Sequence, residues 1–69
     1  MGQACEWAVV RCSGGWNVIS NARPLRRFDY RVDAEEEALR LAAAAQKRGE
    51  EVRVLVEDAD SQMRVLNVG

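Results

Sequence analysis

With no histidine in 69 residues, any acid–base or nucleophilic chemistry in this chain falls to cysteines and carboxylates. Cys5 and Cys12 are the candidate nucleophiles, but each would need a neighbouring base to become a thiolate, and the surrounding sequence offers none. The carboxylates gather in two places, Glu35-Glu36-Glu37 and Asp58-Ala59-Asp60. The first reads as the opening turn of a helix. The second lacks the glycine and the closing glutamate of a calcium loop, and two cysteines alone cannot complete a four-ligand zinc site. The expectation is a protein that is not an enzyme, with no catalytic residue, no metal and no cofactor.

The arginines suggest binding instead. Arg11, Arg23, Arg26, Arg27 and Arg31 face only Asp29 in the same stretch, with Trp16, Phe28 and Tyr30 interleaved. Guanidinium groups match phosphates and aromatic rings stack on bases. Arg23, Arg26, Arg27 and Arg31 with Trp16 and Tyr30 are therefore a candidate nucleic-acid surface, of the kind found on small modules that read DNA with a three-stranded sheet. The remainder of the chain is net acidic, and the pI of about 5.3 is well below that of a nucleic-acid-binding domain. The plainer reading is a solvated edge whose arginines deter edge-to-edge pairing. Nucleic acid is thus the second choice of partner.

These residues need elements to hold them. Cys5–Cys12 alternates with period two and is rich in β-formers, Ser13-Gly14-Gly15 supplies a tight turn, and Trp16–Ser20 resumes the alternation, which reads as a hairpin. Trp7 and Trp16 could form a cross-strand pair in it. Asn21–Pro24 reads as the next turn, followed by a third strand over Leu25–Val32. Asp33 and Glu36 have the spacing of a capping box, Lys47 and Arg48 suit the negative end of a helix, and Gly49 its left-handed stop. Ala34, Ala38, Leu41, Ala42 and Ala45 share one stripe at 100° per residue. Leu41 is the expected anchor, with Leu39 beside the stripe. Glu51–Glu57 alternates around Val52, Val54 and Val56, and Gln62–Val68 reads as the last strand.

The order β-β-β-α-β-β makes residues 1–69 a single α+β domain. It should have two layers, with one helix packed on one face of a mostly antiparallel sheet of four or five strands. One helix covers only one face. The residues read as opposite the core set include Ile19, Leu55, Leu66 and Val68, an apolar group unsuited to open water. A non-catalytic interaction module follows, forming a homodimer or binding a partner protein through that face.

Compartment follows from the cysteines. On one strand, at about 3.3 Å per residue, Cys5 and Cys12 stand roughly 23 Å apart, beyond the ~7 Å that a disulfide allows. Two free thiols point to the cytoplasm. No leader pattern is read at the start, and the apolar run ending at Ala45 is too short to span a bilayer. No membrane association is expected.

Four segments also carry a resemblance: Trp7-Ala8-Val9, Gly15-Trp16-Asn17-Val18, Val32 to Ala38, and Gly49 to Val54. Together they resemble a small bacterial family filed as domain of unknown function 2188, which shows W-x-V and G-W-x-V strands, an acidic helix start and a G-x-E-x-x-V strand. Val32 stands where that family has Phe, and Ala59-Asp60-Ser61 replaces its Asp-Gly turn. The resemblance implies a fold over nearly the whole chain and no activity.

Overall fold

Alternating strands at the start of the chain build half of the sheet. β1 (Cys5–Cys12) and β2 (Gly15–Ser20) pair antiparallel, with Val9 opposite Val18 and Arg11 opposite Trp16. This is a computed structural model, which describes residues 5–21, 23–58, 60 and 62–66. β3 (Arg23–Phe28) adds antiparallel to β2. Helix α1 (Arg31–Lys47), β4 (Val52–Glu57) and β5 (Met63–Leu66) complete the order. The five strands lie β3-β2-β1-β4-β5, with only β1 and β4 parallel. The expected two-layer α+β fold with a mostly antiparallel sheet is what the chain forms.

The path of the chain explains why one face is covered. β3 and β4 run in the same direction but lie on opposite sides of the β2–β1 pair, so the connection between them must return along the strands and cross the sheet. α1, with 17 residues, is about 25 Å long and makes that crossing, touching β1, β2, β3 and β4. Its Ala34, Ala38, Ala42 and Ala45 are wholly buried against Trp7, Val9, Val18, Val54 and Val56. Alanine brings the helix backbone close to the sheet and leaves no space beneath for a larger side chain. Leu41, the expected anchor, is therefore only half-buried beside the stripe, as is Leu39.

Local structure departs from the sequence reading at three points. β3 starts at Arg23 and ends at Phe28, rather than spanning Leu25–Val32. Pro24 belongs to the strand because β3 is a sheet edge, where a missing N–H is tolerated. A bulge accompanies it: Val18 pairs with Arg26 and Ile19 with Pro24, leaving Leu25 unpaired. The helix begins two residues before Asp33, at Arg31, with Tyr30 extended at the N-cap and no side-chain cap bond. Asp33 instead sits in the first turn, where its charge meets the positive end of the dipole, and Arg31 pairs with Glu35 at 3.0 Å. Gly49 ends the helix as expected, at φ +86°, with its N–H donating to Gln46 O and that of Glu50 to Ala45 O. Finally, Trp7 lies opposite Ser20 and Trp16 opposite Arg11, so the Val9–Val18 pair separates the tryptophans and no cross-strand pair forms.

Gly15 matters for space rather than for its dihedral angles. A Cβ there would collide with the carbonyl oxygen of Phe28 and press on the Arg27 guanidinium. The backbone of β3 would have to move, so Gly15→Ala should destabilise the chain by about 1–3 kcal/mol, the scale of overpacking, read from urea midpoints. An unchanged midpoint would show that β3 gives way freely.

Candidate functional site

The face away from α1 carries an apolar row that runs through every strand. Ala8 is opposite Ile19 on one side and Leu55 on the other, Leu55 is opposite Val65, and Ile19 is opposite Pro24. Directly paired residues share a face, and the burial of Trp7, Val9, Val54 and Val56 against the helix puts this row on the other side. Ala8, Ile19 and Leu55 are half-buried among their neighbours, while Val65 is 63% exposed. Val10 and Met63 widen the patch.

Of the four residues expected on this face, Ile19 and Leu55 stand there. Leu66 does not. It pairs with Val54 and packs against the helix-side core, because the β4–β5 register gives even-numbered residues of both strands the same side. Val65 and Met63 take the outward positions in its stead. Val68 lies outside the described residues. Ala8 and Pro24 were missed; the alternation around Val9 already placed Ala8 outward, whereas Pro24 needed the bulge.

Charges flank the row. At one end Arg53 Nε lies 3.8 Å from Glu6 Oε2, on paired positions of β4 and β1. At the other, Glu57 Oε1 accepts a 2.8 Å bond from the Arg11 backbone N–H, continuing the β1 ladder with a side chain. Arg53, Leu55 and Glu57 are alternate residues of β4, so all three look outward.

The arginine segment does not form one stripe. Arg27 is on the open face, 3.2 Å from Asp29, and also donates to Ser13 O. Arg26 pairs with Val18 on the helix side and lies over Phe28, 4.9 Å from the ring centre. Arg31, and Arg11 of the same basic stretch, approach Trp16 at 6.0 and 5.8 Å. Arg23 is at the other end of β3, opposite Ser20, and Tyr30 is 69% exposed at the helix start. Trp16 and Phe28 are themselves packed on the core. Two guanidiniums therefore occupy the ring that was to stack on bases.

Cys5 offers little nucleophilic power. Cys5 Sγ donates to Glu50 Oε1 at 2.8 Å, and that bond, followed by desolvation and the carboxylate's charge, raises the thiol pKa. The Glu50 carboxyl is held below its usual range by the bonds from Cys5 and from Arg48. The signs differ with pH. The raised thiol contributes stability below the ordinary cysteine pKa and loses it as pH rises through the raised value; the lowered carboxyl contributes above the ordinary glutamate pKa and loses it as pH falls through the lowered one. Glu50→Ala should speed iodoacetamide modification of Cys5 at pH 8 several-fold relative to Cys12. Equal rates before and after would show that the contact does not govern the thiol.

Among the described residues no three of Cys, Asp and Glu come together as a metal-binding group, and no helix is long and apolar enough to cross a membrane. Compared with known protein families, with curated proteins and with solved structures, the chain matches none.

Proposed function

We propose that the protein is a non-catalytic interaction module that joins another protein chain, a second copy included, through the open face of its sheet. The observation that carries this is the apolar row Pro24-Ile19-Ala8-Leu55-Val65, continuous across the sheet and uncovered by the single helix. Apolar area of this kind favours burial against another surface. A cytoplasmic setting suits the two free thiols, and the proposed kinship with the domain of unknown function 2188 draws on the W-x-V and G-W-x-V segments of β1 and β2.

Sedimentation of the whole chain tests the reading. Ile19→Glu should weaken association roughly tenfold or more by burying an unpaired charge, while the circular dichroism spectrum stays unchanged because the side chain does not contact the helix-side core. Association unaffected by a carboxylate at Ile19 would remove the face from the interaction.

A second reading, nucleic-acid binding, draws on the Arg11 and Arg31 guanidiniums around Trp16 with Arg26 over Phe28 nearby. It requires affinity for oligonucleotides that falls steeply with salt and is lost in Arg26→Glu/Arg31→Glu. The pairing of Arg31 with Glu35 and of Arg27 with Asp29 reduces the charge left for phosphates, which is why it stands second.

A further inference from the structure

Resting on that reading, we infer that the occupant of the open face is a second copy of the chain, laid face to face about a twofold axis that runs along the apolar row, across the strands. The charges on either side of the row suit this arrangement. On β4, Arg53 and Glu57 stand two positions to either side of Leu55 on the same face, each about 6.6 Å along the strand from it. An axis through the row places β4 over the partner's β4 in the opposite direction. Arg53 of each copy then meets Glu57 of the other, twice per dimer, and the row meets itself, Leu55 on Leu55 and Ile19 on Ile19.

The alternative twofold, along β1, fails on charge. It lays β4 over β2 and brings Glu6 of β1 against Glu6 of the other copy. Like charges facing one another disfavour that pairing. In the crossing arrangement Glu6 meets Val10 of the other copy and remains beside its own Arg53, which then lies between two carboxylates. Facing sheets pack with strands within about 30° of alignment, an offset that long arginine and glutamate side chains span.

The test uses two single charge reversals in the full chain, Arg53→Glu and Glu57→Arg, with Leu55→Glu as a third variant. Each reversal alone puts like charges together at both contacts and should weaken self-association roughly tenfold or more. Mixing the two variants restores opposite charges at both contacts, so a heterodimer should form with near wild-type affinity in sedimentation or by subunit exchange of labelled chains. Changes within one chain, such as Glu6 facing the new Glu at position 53, cannot produce that rescue. If both reversals dimerise like the wild type while Leu55→Glu dissociates it, the twofold arrangement is overturned and the face reading stands. If the wild type is monomeric at millimolar concentration, the second copy is overturned as the occupant. If it dimerises and Leu55→Glu changes nothing, both fall.

Discussion

Trp7→Ala should leave the chain largely unfolded at 25 °C. Among the described residues Trp7 is the largest buried side chain, 7% exposed, and it shares the buried core with four valines and four alanines. Removing a buried tryptophan costs about 3–5 kcal/mol, which matches the whole stability expected of a domain this small, about 3–5 kcal/mol. The alanines of α1 are too short to fill the gap. Far-UV circular dichroism against urea checks this, and Trp16 remains as a fluorescent reporter. A cooperative transition within about 1 kcal/mol of the wild type would show that the site collapses far better than rigid packing allows.

Ala38→Leu should destabilise the chain through the opposite error. Ala38 is wholly buried where α1 lies on the strands, and added methylenes there force the helix away from the sheet at about 1–3 kcal/mol. Ala44, on the same helix but exposed, is the control. Ala44→Leu leaves the core untouched and should change stability by no more than about 0.5 kcal/mol. Equal effects at the two positions would mean that helix propensity, not the close approach, governs this element.

The sequence reading held where a single local pattern decided the outcome. Alternation around Val9 and Val54 fixed two strands and their inward faces, and Gly49 marked the helix end because only a left-handed residue fits there. It failed where two patterns competed. Asp33 and Glu36 have capping-box spacing, but helical structure reaches back to Arg31, whose pairing with Glu35 supports an earlier first turn. Pro24 signals a turn in the interior of a chain and is admissible on an edge strand, and edge position is a property of strand order that no local pattern contains.

The same distinction separates the members of the candidate face. Ile19 and Leu55 follow from the parity of buried valines on their own strands. Leu66 does not, because Met63 and Val65 are as apolar as Leu66 and only the pairing with Val54 decides which set turns inward. The arginines were legible as a charge excess but not as a surface. The alternation of faces along β3 sends Arg27 to the open side, while Arg26 and Arg31 lie by the paired rings of Phe28 and Trp16 on the helix side.

The parallel pairing of β1 with β4 also orders the events of folding. β1, β2 and β3 join through short turns and can zip up within microseconds, as hairpins do. The central contact of Val9 with Val56 joins distant parts of the chain, and its loop-closure cost must be met before the core rewards it. The barrier to folding is thus expected at the arrival of α1 and β4 on the β1–β3 meander. Weakening β5, which adds only at the outer edge, should hasten unfolding and leave the refolding rate unchanged.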